Sequence, residues 1–589
     1  MRVALLGAEL EENLALRYMA AALETKGHEV DIVPFNSTED VPAAVTETLR
    51  FQPQMVGLSM IFTGRAREFC YLAGALRESG YTGHVVAGGH FASFNCERLL
   101  NDYHAFDSVA LGEGEELICA LAERPEQIAN IPGICYRGPD GKPVTNTAIG
   151  NPDNLDALPF PKRTTFHEYF DKRIASILSS RGCWRNCAFC SINAWYERGG
   201  GKKFRIRSIE NIVAEMKELY FKYGVRIFNF QDDNFFLPNS DKAFRRFDAL
   251  RSGLQREGLE GIAIAIKARP DSITQESIRV LDELGLFRVF LGVENASENG
   301  LRNLNRKCEY ERILSALRIL NDFDVHVAFN LLMFEPDTLL DDILINLRFI
   351  ERHLDNPFNF CRAEAYAGTG LEAKLLPEGR LLGNHFGFDY RLRDPQCEAF
   401  HQIANYAFFD RNFSDDGLHY FNMQVDFYFQ LLRRFYPDTI TQTMRAGVRN
   451  FIKRTNLDTY ERLCEIYDFV AATDPTDQMG NRGFAREMRR RVDGSSAALH
   501  AEGQRLLDWL TAAYEQRGQR PNVASVAPFP EQPSFLPCRI IPYQGIESLQ
   551  EKNFAGTLSE PRDACDWFGV LAEPIPYQEF RRRMAEHGL

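Results

Sequence analysis

The chain has 589 residues, 45% of them hydrophobic and 25% charged, and a formal net charge of -13. At roughly 150 residues per domain the length predicts three to five domains with several buried cores, which excludes a disordered or collagen-like chain. Sixty-eight basic against 81 acidic residues leave no excess to neutralise phosphates, so a dedicated nucleic-acid binder is not expected. Thirteen cysteines spread over this length do not form a secreted disulfide framework. No signal peptide and no apolar run of about 18 residues is seen, so a cytoplasmic protein without a membrane span is expected.

The first 137 residues alternate strand and helix patterns. Strands are predicted at Val3–Gly7, Glu29–Pro34, Met55–Ile61, His84–Ala87 and Ser108–Leu111, and helices at Leu14–Lys26, Val41–Phe51 and Arg65–Ser79. Such alternation implies a doubly wound parallel sheet, with ligands at the carboxyl ends of its strands. Residues 138–165 read as a linker, because Gly138-Pro-Asp-Gly141, Asn151-Pro-Asp153 and Leu158-Pro-Phe-Pro161 are turn signals.

A second α/β run follows over 166–378. Strand candidates are Ile174–Leu178, Arg226–Phe230, Gly261–Ile266, Arg288–Leu291, His326–Leu332 and Phe358–Ala363. The clearest helix places Ile209, Ile212, Val213, Met216, Leu219, Tyr220 and Tyr223 on one face. Six βα units suggest a partial or full barrel with its chemistry on the loops after the strands. Residues 379–589 read as a mostly helical region ending in a proline-rich tail from about 520. Thirteen aromatics between Tyr390 and Tyr436 must bury a large apolar mass, expected at the barrel mouth.

Directly after the first barrel strand stands Ser180-Arg-Gly-Cys183-Trp-Arg-Asn-Cys187-Ala-Phe-Cys190. Three thiolates on one loop can converge on a metal centre. A closed zinc site wants four protein ligands, and no second pair follows. A four-iron cluster on three cysteines leaves one iron open.

This C-x3-C-x2-C loop, with Phe189 before the last cysteine, resembles the cluster loop of radical S-adenosylmethionine (SAM) enzymes. The resemblance implies a (β/α)6 partial barrel, a 4Fe–4S cluster on Cys183, Cys187 and Cys190, and SAM chelating the open iron. It also implies a one-electron donor such as a flavodoxin or ferredoxin. Phe189, Asp232, Arg269 and Glu294 become candidates for the SAM site. Asp232-Asp233-Asn234 is otherwise a solvated loop or a helix cap, and Arg269 an ion-pairing residue.

The N-terminal domain resembles Rossmann-like cobalamin-binding domains. Ser59-Met-Ile61 is similar to their S-x-L element, and Gly88-Gly89 to their glycine pair. Their D-x-H-x-x-G element is absent, since the loop after the first strand reads Ala8-Glu-Leu-Glu-Glu-Asn13. The resemblance implies cobalamin on Ser59, Arg65, Gly88, Gly89, His90, Gly112 and Glu113. Arg65 is otherwise an exposed helix residue, and Gly112-Glu-Gly-Glu115 a turn opening a helix. Cobalamin domain, linker, barrel and helical region together resemble the cobalamin-dependent radical SAM methylases. These include the tryptophan 2-C-methyltransferase of thiopeptide biosynthesis. The resemblance implies methyl transfer from SAM to a carbon of a small molecule or peptide, or a radical rearrangement with the same cofactors.

Overall fold

The computed structural model describes residues 1–147, 150–414 and 416–517. The proline-rich tail, with Cys538 and Cys565, lies outside the described residues. Among these, no helix is long and apolar enough to cross a membrane.

The N-terminal sheet holds β1 (Arg2–Gly7), β2 (Glu29–Pro34), β3 (Met55–Ser59), β4 (His84–Gly88), β5 (Ser108–Ala110), β6 (Ile134–Arg137) and β7 (Pro143–Thr145). Its order is β2-β1-β3-β4-β5-β6-β7, parallel through β5 and antiparallel after it. Val3 to Leu6 are fully buried because helices cover both faces of the sheet. The order reverses between β1 and β3, and that switch point opens a crevice at the strand ends. The turn Gly138-Pro-Asp-Gly141 closes the β6–β7 hairpin, where Gly138 N donates to Lys142 O at 2.8 Å. The segment expected as linker therefore begins by extending this sheet.

The second sheet starts with β8 (His167–Tyr169), antiparallel to β9 (Lys172–Ile177). A short ladder of β10 (Ser180–Arg181) and β11 (Arg205–Ile206) follows. Then come β12 (Val225–Phe230), β13 (Ala263–Ala268), β14 (Leu286–Leu291), β15 (His326–Phe334) and β16 (Phe358–Arg362). The order β16-β15-β14-β13-β12-β9-β8, parallel from β9, is the expected six-stranded partial barrel. Helix Ile209–Tyr223 shows why the elements form. Ser208 caps its start, Ile212, Val213, Met216 and Leu219 are buried, and left-handed Gly224 ends it.

The aromatic segment does not close the mouth. It forms helices Pro395–Phe413 and Leu418–Phe435, and the second crosses the opposite, amino-terminal ends of the strands. Phe427 packs edge-on against Tyr169, and its ring lies 5.4 Å from that of Phe287. Arg434 Nε donates to Ile262 O and Arg433 Nη2 to Asp324 O, just before β13 and β15. His326 Nδ1 meets Asp426 Oδ2 at 2.5 Å with both side chains buried. Phe427, Tyr169 and Phe287 seal the floor of the barrel by apolar burial, and the bonded arginines and the His326–Asp426 pair pin the helix across it. Helices Gln442–Ala472 and Gln478–Arg517 pack outside this plug.

The mouth is covered by the N-terminal domain. A hairpin of β17 (Leu382–Asn384) and β18 (Gly387–Asp389) leaves the barrel and inserts its tip into that domain. Phe386 at the tip is 2% exposed and contacts Phe91 and Tyr103. Phe386→Ala is expected to cost about 3–5 kcal/mol and to loosen domain docking. Urea denaturation and limited proteolysis between residues 138 and 165 check this.

Candidate functional site at the domain interface

The ladder of β10 and β11 closes the neck of an excursion, residues 182–204, that carries the three cysteines. Gly182 has φ +84, and a Cβ there would overlap the Lys203 carbonyl. Cys187 is 7% exposed, and Cys183 and Cys190 are half-buried. Burial pushes the Cys183 and Cys190 thiols above their ordinary range. Iron that takes them as thiolates must displace those protons. Among the described residues no three His, Cys, Asp or Glu groups converge on a single-ion site. Three cysteines on one loop suit a cluster, in which each of three irons takes one thiolate.

Arg269, Glu294 and Phe189 gather around this loop. Arg269 Nη1 lies 3.5 Å from Cys187 Sγ, and its Nε donates to Asp271 Oδ1 at 2.9 Å. Glu294 has φ +66, a left-handed conformation rare for glutamate, and burial raises its carboxyl against the pull of Arg306. Arg306, which the sequence reading missed, donates from Nη1 to Cys187 Sγ at 3.1 Å and lies 6.0 Å from the Phe189 ring. Its only sequence signal is position, just past the short helix Glu298–Asn303 that follows the fourth barrel strand.

Asp232 is not at this site. Its carboxylate accepts from Ser179 N, Ser179 Oγ at 2.7 Å and Ser180 Oγ at 2.5 Å, fully buried beneath the loop. These bonds fix the exit of the first barrel strand. The neighbouring Asp233 instead opens onto the cavity described next, accepting from Gly182 N at 3.0 Å. Enclosure by surrounding protein raises its carboxyl, opposed by Lys267.

A cavity of about 460 Å³ lies between the carboxyl ends of the two sheets, in the size range of cofactor sites. All seven residues expected to bind cobalamin line it: Ser59, Arg65, Gly88, Gly89, His90, Gly112 and Glu113. Leu178, Ser180, Arg181, Tyr196, Gln231 and Asp233 line the barrel side. Gly89 has φ +98, and a Cβ there would sit 2.9 Å from Met60 O. Gly112 has φ +82 and packs on Gly199 of the helix that follows the cysteines. A Cβ on Gly88 would meet nothing closer than Ala110 at 3.6 Å, so this stretch of wall is bare backbone open to a flat ligand.

The polar residues of the cavity divide by role. His90 stacks on Trp195 at 4.5 Å, its Nε2 has no protein partner, and burial lowers its pKa to about 4. Arg65 is buried rather than exposed on a helix, held by Glu68 at 2.8 Å and Phe35 O at 3.1 Å. Glu113 is an interdomain strut: it accepts from Arg205 Nη2 at 2.5 Å and Nη1 at 3.0 Å, with Arg181 at 3.3 Å. Glu115 takes the other side of Arg181 at 2.5 Å. Burial raises the Glu115 carboxyl, but the charges and hydrogen bond of the arginines outweigh it and leave it below its ordinary range.

Comparison with known families agrees with this division of the chain. The B12 binding domain model matches residues 7–122 and the Radical SAM superfamily model residues 177–347. The chain belongs to the radical SAM enzymes that carry a B12-binding domain. The cofactors of these two domains are a 4Fe–4S cluster, SAM and cobalamin. An uncharacterized methyltransferase of Pyrococcus horikoshii is 25% identical over 382 residues, 63% of this chain and 79% of the relative. The cytidylyl-2-hydroxyethylphosphonate methyltransferase of Streptomyces wedmorensis is 25% identical over 53% of this chain and 67% of its own. The anaerobic magnesium-protoporphyrin IX monomethyl ester cyclase of Synechocystis is 25% identical over 44% of this chain and 51% of its own. In structure, the cobalamin-dependent SAM radical enzyme OxsB with aqua-cobalamin bound matches with TM-score 0.65 at 15% identity, over 88% of this chain and 84% of that one. The radical SAM methyltransferase TsrM of Kitasatospora setae, with tryptophan and a SAM analogue, matches with TM-score 0.55 at 17% identity, over 65% and 78%.

Two outcomes follow for this radical SAM enzyme. Gly89→Ala forces a side chain into a strained conformation and against Met60 O, expected to cost about 1–3 kcal/mol and to weaken cobalamin binding, read by equilibrium dialysis. His90 has a folded pKa of about 4 against 6.5 for the model side chain. The unfolded chain therefore takes the proton first as pH falls, and stability is lost from about pH 6.5 down to pH 4. His90→Gln removes about 2 kcal/mol of the loss between pH 7 and pH 5, checked by urea midpoints of the cofactor-free protein at both pH values.

Proposed function

We propose that this enzyme is a C-methyltransferase, moving a methyl group from SAM to a carbon of a small-molecule or peptide substrate. One observation carries the reading: one cavity has the expected cobalamin residues as one wall and the strand exits beside the cluster loop as the other. The methyltransferases among the relatives support it. When bound, the cluster and SAM supply one-electron cleavage and cobalamin supplies a methyl carrier.

The protein's part is placement. Cys183, Cys187 and Cys190 hold the cluster and leave one iron for SAM. Asp233, facing the cavity, is the acid suited to the SAM ammonium group; Glu294 and Phe189 stand by Arg306 on the other side of the loop, Arg269 holds the loop and Asp232 its base. Ser59, Gly88, Gly89 and Gly112 offer a bare backbone wall to the corrin. His90, neutral at pH 7, offers one free nitrogen, and Arg65 a fixed cation near the β3 exit. Glu113 keeps the two walls in register. The substrate enters this cavity, and a one-electron protein donor meets the outer face of the cluster loop at exposed Asn186.

A second reading, radical cyclisation or rearrangement without net methylation, is favoured by one fact. Relatives named anaerobic magnesium-protoporphyrin IX monomethyl ester cyclase stand among the matches beside the methyltransferases.

The deciding experiment is anaerobic reconstitution with iron, sulfide and cobalamin, followed by mass spectrometry with methyl-labelled SAM. Label transferred to a carbon product is expected. Deoxyadenosine without methylated product selects the second reading, and absence of bound cobalamin overturns both. Cys187→Ala is expected to lose the cluster absorbance and more than about 100-fold of activity while still binding cobalamin, because its cavity does not include Cys187.

A further inference from the structure

Three consecutive residues after the fourth barrel strand grip the cysteine loop from outside. Leu304 O accepts from Ala188 N at 2.9 Å. Asn305 Nδ2 donates to Asn186 O at 2.5 Å, and Arg306 Nη1 to Cys187 Sγ at 3.1 Å. Asn305 and Lys307 are both left-handed, at φ +51 and +46. Two such residues around one buried arginine persist only where surrounding structure imposes them. The turn leaves Lys307 in solvent and drives Arg306, 4% exposed, into the loop.

The charges there are unbalanced. Arg306 Nη2 donates to Gly292 O, its Nε has no partner, and its nearest carboxylate is Glu294 at 3.9 Å. Arg269, which also reaches Cys187 Sγ, shares Asp271 with Arg185. A buried guanidinium whose one carboxylate partner stands as far as 3.9 Å is only partly compensated. A thiolate at Cys187, part of an anionic cluster, supplies the missing charge. By contrast, Cys183 and Cys190 receive backbone N–H groups, from Arg185 and Ile192.

We infer that Arg306, backed by Arg269, is a positioning residue that hydrogen-bonds the Cys187 thiolate and raises the reduction potential of the cluster. This rests on the cluster assignment above. The reduced cluster carries one more negative charge than the oxidised one, so a fixed cation and an N–H···S bond favour it. The step is a one-electron reduction by a low-potential donor, with no bond formed or broken.

The test compares full-length wild type, R306M and R306Q after anaerobic reconstitution with iron and sulfide, without SAM. Iron per chain, the midpoint potential by dithionite titration under electron paramagnetic resonance, and the iron–thiolate stretch by resonance Raman are read. Loss of the guanidinium is expected to lower the midpoint and raise one stretch frequency at unchanged iron content, with R306Q intermediate. Variants with wild-type iron, midpoint and stretch overturn the inference, and so does loss of iron from both, which assigns Arg306 to folding alone. Wild type that takes up no four-iron cluster overturns the cluster assignment itself, an outcome distinct from an unshifted variant.

Discussion

Arg181 and Arg205 face each other as register partners in the two-residue ladder at the neck of the cysteine loop. Like charges directly opposite destabilise a ladder. Glu113, from the strand-end loop of the B12-binding domain, lies between them and takes two bonds from Arg205 and one ion pair from Arg181. Desolvating each charge costs several kcal/mol and is offset only when all partners are in place. The neck of the loop that presents the cysteines is thus completed by a residue of the other domain. Docking of the cobalamin domain and closure of the neck become one event, and the cavity between them inherits its geometry from it.

The same arrangement recurs at the edge of the cavity. In the loop after β1, Glu12 accepts from the backbone of Ser176 in the first barrel strand and pairs with Arg163. Arg163 and Arg207 share Glu215. That loop has been given over to docking. The two ends of the barrel are therefore closed by different forces. The floor is sealed by aromatic packing around Phe427 together with the buried His326–Asp426 pair, all within the barrel and the helical region. The mouth is closed by oriented charges around a polar cavity, where bound groups and protons have work to do.

The sequence made some of this legible and hid the rest for identifiable reasons. The cysteine spacing and the parallel strands were readable because they are local patterns. All seven expected cobalamin residues share one cavity because strand exits converge in a doubly wound sheet. The β6–β7 hairpin was missed because its glycine-proline turn looks the same in a linker. The floor plug was placed at the wrong end because aromatic content reports burial but not direction. Asp232 and Asp233 are adjacent acids with opposite fates, and only the backbone trace at the strand exit decides which one turns inward. Arg306 has no local signature at all: its partner lies 119 residues earlier in the chain.

Left-handed backbone marks several positions around the site: Gly89 and Gly112 line the cavity, Gly182 opens the cysteine loop, and Glu294 and Asn305 lie beside that loop. Glu294 shows how such a conformation is held. Its N–H donates to Asn330 O and its C=O accepts from Leu332 N, stitching the exit of β14 to β15. Its carboxylate stays near Arg306, which in turn reaches Cys187. A left-handed glutamate and a left-handed arginine turn are thus consecutive links from the barrel wall to the cluster loop. The glutamate is fixed by hydrogen bonds to β15, and the arginine by its bond to the Gly292 carbonyl just beyond β14. The strained residues are the means by which a rigid barrel sets the position of an irregular loop.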